Sequence, residues 1–234
     1  MRRIFMTAVL LCLLALPVQA EENQKYVALT FDDGPSGHFT TRLLDGLQKR
    51  GVHATFLLCG YRMQEFPDIT RRIVSEGHEI GFHGFSHEDM GMMSRRQIAA
   101  ELINSEKLLP RGCSPAFLRP PGGSVGDGVR QVAEVRLLGI LTWSVYPRDW
   151  AVKDAPLVIQ RVLSQVRDGD VVLMHDMSDS SVTAALEIVD QLRNRGYRLV
   201  TVSELAKLRN VKIKPGKVYQ RFPASESGKN STGT

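Results

Sequence analysis

Residues 26–35 read Tyr26-Val27-Ala28-Leu29-Thr30-Phe31-Asp32-Asp33-Gly34-Pro35, and they set a pattern that the rest of the chain repeats. A β-prone apolar run passes without a spacer into two carboxylates and a turn-forming Gly-Pro. Beyond it, Phe39–Arg50 sets Leu43, Leu44 and Leu47 at helical spacing and stops at Gly51. The unit is strand, polar turn, helix.

The same order continues along the chain. Strand-like segments are expected at Ala54–Leu58, His78–Phe82, Ala116–Leu118, Ile140–Val145, Asp170–Met174 and Arg198–Thr201. Between them, helices are expected over Phe66–Ser75, from Ser94 to Leu109, over Val129–Leu138, from Asp154 to Val166 and over Val182–Arg195. A last helix is expected to start from Ser203. Ser94 with Gln97 forms a capping box, and Asp154 with Pro156 suits a helix start. Strictly alternating strands and helices call for parallel pairing with right-handed crossovers. An α/β fold follows: a single domain built as a parallel β/α barrel of about seven strands. A doubly wound sheet fits less well, because no Gly-rich nucleotide fingerprint follows the first strand.

The two ends of the chain differ from this domain. Arg2 and Arg3 precede a short apolar run, Ile4–Leu16, and Val18-Gln19-Ala20 closes it with small residues. Residues 1–20 read as a signal peptide cleaved after Ala20, the run being too short to span a bilayer comfortably. Export to the cell envelope or medium is expected, with no stable membrane span afterwards. From Asn210, Lys, Pro, Gly and Ser dominate, and residues 210–234 read as a flexible basic tail that leaves 21–209 as the folded domain. The net charge of +5 comes from these ends, and residues 21–209 carry a net charge of −1. Composition therefore argues for no nucleic-acid groove. Cys59 and Cys113 would remain after cleavage, as a disulfide or as two buried thiols.

The polar clusters fall directly after strands: Asp32-Asp33-Gly34-Pro35, His83-Gly84-Phe85-Ser86-His87, Arg119-Pro120-Pro121-Gly122-Gly123, Asp149-Trp150 and His175-Asp176. In a parallel barrel these strand ends open on one face, where catalysis sits. His83 and His87, four apart on a helical turn, would project together and suit a divalent metal with a carboxylate as third ligand. Of Asp32 and Asp33, one could bind metal and the other act as a base, provided the chain turns there. A solvent-exposed turn would use the same four residues. His38 and His53 read as surface residues, and His78 as a hydrogen-bonding core residue.

Taken together, the clusters resemble the polysaccharide deacetylase, or NodB-homology, family. Thr30-Phe31-Asp32-Asp33-Gly34-Pro35 matches its first motif and His83-Gly84-Phe85-Ser86-His87 its second. Arg119-Pro120-Pro121 with Gly123, Asp149-Trp150 and Leu173-Met174-His175 follow in the family's order. The resemblance runs from Tyr26 to Leu208 and implies a distorted β/α barrel. It also implies that Asp33, His83 and His87 hold one divalent ion, Zn²⁺ or Co²⁺, while Asp32 serves as general base and His175 as general acid. Arg119 would orient Asp32, and Asp149 would pair with His175. The Gly122 N–H would meet the oxyanion, and Trp150 and Leu173 would form the slot for the acetyl methyl. The implied reaction removes N-acetyl groups from an N-acetylglucosamine glycan, with a monomer acting on the acetylated glycan.

The sequence departs from the family pattern at Phe82, Gly84, Gly122 and Tyr146. Gly122 stands where an aromatic is usual, and Tyr146 where Asp is common. None of these removes a proposed ligand, acid or base, so they bear on the substrate. The alternatives are an O-acetyl esterase of the xylan type and a carbohydrate-binding relative without catalysis.

Overall fold

The computed structural model describes residues 24–224. The signal-peptide reading of residues 1–20 and a glycosylation-type triplet at Asn230-Ser231-Thr232 lie outside the described residues.

The opening stretch forms the central strand. In β1 (Lys25–Asp32) every residue after Lys25 is buried. It runs parallel to β2 (Thr55–Leu58) on one side and to β6 (Asp170–His175) on the other, while β7 (Tyr197–Leu199) joins its first residues. Outward from β2 come β3 (Glu79–Phe82), β4 (Phe117–Leu118), β5 (Gly139–Leu141) and β8 (Val218–Tyr219), all parallel. Past β5 the chain reaches back to β6 through one parallel bridge, Val145 with Val172. The sheet therefore curls into the expected distorted barrel.

Alternation along β1 divides its side chains between two environments. Val27, Leu29 and Phe31 point outward to α1 (Gly37–Arg50) and α7 (Asp179–Asn194), meeting Leu43, Leu44, Leu47, Ile188 and Val189. Each such buried side chain contributes about 1.5–3 kcal/mol. Ala28 points inward, where Leu57, Phe117, Leu141 and Val171 fill the barrel. Thr30 and Asp32 share that inward face one and two steps nearer the C-terminal rim. On the far side, α4 (Arg95–Glu106) and α5 (Asp127–Val135) cover β3 to β5 with Ile98, Leu102, Val129 and Ala133.

Several expectations need correction. The segment after Asn210 is not wholly a tail: β8 pairs with β5, and Tyr219 and Phe222 are buried against Tyr26 and Val171. Its apolar residues are too widely spaced among Lys, Pro and Gly to show a period. The last helix, α8 (Val202–Leu208), is capped by Thr201 with Glu204, not by Ser203. Ser203 instead hydrogen-bonds Glu79. The strand expected over Ile140–Val145 is regular only at Gly139–Leu141. An additional helix, α2 (Gly60–Glu65), precedes α3 (Pro67–Ser75), and α6 (Ala155–Gln165) begins from Asp154 as expected.

Candidate active site

Because all the strands are parallel, the ends of β1, β3, β4 and β6 deliver Asp32, His83, Arg119 and His175 to one rim. Asp32 is inward-facing and buried. Arg119, wholly buried rather than a surface cation, donates from Nη1 to Asp32 Oδ1 at 2.6 Å and to Thr30 Oγ1 at 2.8 Å. Its other donors reach the carbonyls of Thr142 at 2.8 Å and Leu141 at 3.3 Å. The guanidinium is thereby fixed, and it holds one oxygen of Asp32 while leaving Oδ2 toward the cavity.

In a continuing strand Asp33 would face away from Asp32. Its backbone instead takes φ 73°, in the left-handed region, and turns the second carboxylate into the same site. Gly34 is required by close approach, since a Cβ there would lie 2.8 Å from Asp176 Oδ1. Asp176 is fully buried and accepts a hydrogen bond from Thr40, and burial raises its carboxyl to about 6.

Asp33 Oδ1 lies 3.2 Å from His83 Nε2 and 3.0 Å from His87 Nε2. That oxygen is buried yet has no hydrogen-bond partner of good geometry among the described residues. His83 Nδ1 lies 2.7 Å from the Arg119 carbonyl, which can only accept, so this nitrogen carries the proton and Nε2 is left with a lone pair. The three ligand atoms lie within 4.8 Å of one another. An unpartnered carboxylate oxygen facing two imidazole nitrogens fits a divalent cation.

The two histidines do not share a helical turn, as their spacing suggested. Residues 83–87 form a loop with left-handed backbone at Gly84 (φ 80°) and His87 (φ 64°). Glu101, from α4, secures it: Oε2 accepts the N–H groups of Phe85 at 2.7 Å and Ser86 at 2.8 Å, and the Ser86 hydroxyl at 3.0 Å. Sequence reasoning missed Glu101. It sits in an ordinary helix far from any motif, and only the loop's inward-facing N–H groups would have revealed the need for it.

His175 is held from both sides of one carboxylate. Its Nδ1 lies 2.9 Å from Asp149 Oδ1, and its backbone N–H donates to Asp149 Oδ2 at 2.8 Å. Burial disfavours the imidazolium, but Asp149 outweighs this and raises His175 to about 9. Nε2 is left facing the site, 3.9 Å from Asp33 Oδ2.

These groups line a cavity of ≈ 390 Å³. Asp32, Asp33, His83, His87, His175, Gly122, Trp150 and Leu173 all reach it, together with Trp143 and Tyr146. Arg119 and Asp149 stand behind it. A larger hollow, ≈ 600 Å³, lies beside His53 and Tyr197 and gathers none of these residues. His78 is buried, its Nδ1 accepting the Ala54 N–H at 3.1 Å, and His38 and His53 are exposed. Cys59 and Cys113 are both free thiols. Among the described residues no helix is long and apolar enough to cross a membrane.

A parallel barrel whose rim joins an arginine-held carboxylate, a carboxylate between two histidines and a carboxylate-held imidazole defines a hydrolase site. The sequence profile of polysaccharide deacetylases matches residues 19–139, and the chain belongs to that family. It is 36% identical over 191 residues to the peptidoglycan-N-acetylmuramic acid deacetylase PdaC of Bacillus subtilis, covering 81% of this chain but only 40% of that protein. A peptidoglycan-N-acetylglucosamine deacetylase of Bacillus cereus is 33% identical over 198 residues, 82% of this chain and 93% of that protein. Among solved structures, a family 4 acetyl xylan esterase from Clostridium thermocellum in complex with a cobalt ion is similar at TM-score 0.79. Its sequence identity is 35%, over 85% of this chain and all of the esterase.

Proposed function

We propose that the protein is an exported, metal-dependent deacetylase that hydrolyses N-acetyl groups of an N-acetylglucosamine-containing glycan of the cell envelope. The observation that carries this is the division of labour between neighbouring carboxylates: Asp32 is held by Arg119, while Asp33 is held between His83 and His87.

Asp33, His83 and His87 would hold the cation, Zn²⁺ or Co²⁺ by the nature of the donors. When bound, such an ion acidifies water and polarises a carbonyl. Asp32, with Oδ1 on Arg119, offers Oδ2 to accept the proton of the attacking water. His175, charged beside Asp149, donates from Nε2 to the departing amine, which leaves poorly unprotonated. Gly122, which borders the cavity, would offer its backbone N–H to the developing oxyanion. Leu173 and Trp150 border the space for the acetyl methyl. One chain supplies every group, so a monomer suffices. Export is supported by the character of residues 1–20 and by relatives named for peptidoglycan.

Acetate release from N-acetylglucosamine oligomers tests this, with Zn²⁺ or Co²⁺ added and after chelation, beside Asp32→Asn and His175→Ala. Metal-dependent release lost in both variants is expected. The likeness to an acetyl xylan esterase favours a second reading, O-deacetylation. An ester needs less help in leaving, so activity on acetylated xylan with little dependence on His175 would establish it instead.

A further inference from the structure

Asp176 follows His175 at the end of β6 and is wholly buried, yet it is neither a proposed ligand nor part of the cavity lining. Its carboxylate lies against Gly34, the residue after Asp33. A Cβ on Gly34 would fall 2.8 Å from Oδ1, 3.1 Å from Oδ2 and 3.3 Å from the carboxyl carbon. Oδ2 accepts the hydroxyl of Thr40, in the first turn of α1, and the Asp176 carbonyl accepts the Ser36 hydroxyl. Thr40 Oγ1 in turn accepts the Ser36 N–H at 2.6 Å. One residue at the end of β6 therefore grips the whole turn between β1 and α1.

Two features set this contact apart from ordinary packing. Asp176 Oδ1 has no hydrogen-bond partner among the described residues, so the buried carboxylate has a single side-chain donor, Thr40. An acceptor left in that state works against stability. What the carboxylate does is confine Gly34, which directly follows Asp33. Asp33 has left-handed backbone, φ 73°, and that conformation brings its carboxylate to His83 and His87. A residue other than glycine stays in that region only where its surroundings hold it.

We propose that Asp176 is a positioning residue for Asp33: with Ser36 and Thr40 it latches the end of β6 to the turn after β1 and keeps Asp33 aimed at the cation site. This rests on the cation site of the proposed function. Because Asp176 is also the residue after His175, the same latch sets the spacing between the cation ligand and the general acid.

The test compares the full chain, freed of metal, as wild type, Asp176→Ala, Asp176→Asn and Thr40→Val. Competition against a coloured chelator reads Zn²⁺ affinity. Hydrogen exchange at the Cys59 N–H reads the turn without metal, since that group donates to the Gly34 carbonyl at 3.2 Å. Asp176→Ala is expected to weaken Zn²⁺ binding about 10- to 100-fold and to speed Cys59 exchange while β1 stays protected. Thr40→Val should act in the same direction to a smaller degree, and it carries the comparison if Asp176→Ala does not fold. Asp176→Asn keeps the shape and an acceptor for Thr40, so it should restore most of the affinity. Asp176→Asn as weak as Asp176→Ala would make charge rather than placement decisive, and overturns the latch. Affinity and Cys59 exchange unmoved in Asp176→Ala and Thr40→Val also overturn it, and leave the cation site standing. Faster Cys59 exchange in the variants of a protein whose wild type binds no Zn²⁺ has the opposite meaning: the latch on Asp33 stands and the cation reading falls.

Discussion

Asp149 uses both carboxylate oxygens on a single residue, receiving the His175 backbone N–H on Oδ2 at 2.8 Å and facing His175 Nδ1 from Oδ1 at 2.9 Å. The first contact fixes where β6 ends, and the second fixes how the imidazole is turned. With Nδ1 engaged, only Nε2 can carry a proton to the cavity. Asp149 is buried, so water does not compete for either contact.

Asp149→Asn keeps the shape but removes the charge that favours the imidazolium. Acetate release is expected to fall by about 10²- to 10⁴-fold, the usual worth of a positioned general acid. Bound metal should stay at the wild-type level, because no proposed ligand is touched. Equal loss of metal and activity would show instead that the variant has disturbed the whole rim.

Glu101 makes a different prediction, because it belongs neither to the proposed cation ligands nor to the lining of the cavity. Its carboxylate gathers three donors from the loop between His83 and His87. Glu101→Ala leaves those donors unpaired and the loop free to open. Affinity for Zn²⁺ should drop about 10- to 100-fold, as when groups supporting a ligand are removed. Competition titration against a coloured chelator measures this, and an unchanged affinity would reduce Glu101 to a surface residue.

The contrast between Asp33 and Glu101 shows what was legible in the sequence. Strand ends carrying paired carboxylates and histidines can be read because their chemistry is rare and their position periodic. The turn at Asp33 was legible as a need, since Asp32 and Asp33 cannot share a site without it. Glu101 and Trp143 were not, because their roles depend on which loop or glycine lies opposite across long sequence separations. His87 does stand beside Asp33 and His83, but not by the route its position suggested. Its spacing from His83 suggested a helical turn, but the loop brings the rings together through two left-handed residues.

Residues 211–222 were misread for a related cause. Val218, Tyr219 and Phe222 stand among charged and turn-forming residues, yet β5 offers an open edge and Tyr26 a ring to cover. Phe222 is 1% exposed. Phe222→Ala is expected to cost about 3–5 kcal/mol by urea denaturation. A chain ending at residue 209 should be less stable than one ending at 224. Equal midpoints for those two chains would restore the whole segment to the status of a tail.

His78 sets a pH limit on the fold. It is buried between the Phe56 ring, with centres 5.3 Å apart, and the His53 ring, at 5.7 Å. Its Nδ1 accepts the Ala54 N–H at 3.1 Å, which only an unprotonated nitrogen can do. Burial first, then the charges of His53 and Arg72, lower its pKa from 6.5 to about 4. Between those values the unfolded chain binds the proton that the folded chain refuses. The contribution is therefore complete above pH 6.5 and lost as the pH falls toward 4, to a total of roughly 3 kcal/mol. His78→Asn retains an acceptor near the Nδ1 position without a titrating group. Urea denaturation from neutral to mildly acid pH should show wild type losing stability more steeply than His78→Asn. Parallel curves would mean that His78 already carries its proton in the folded protein, at odds with the hydrogen bond it accepts from Ala54.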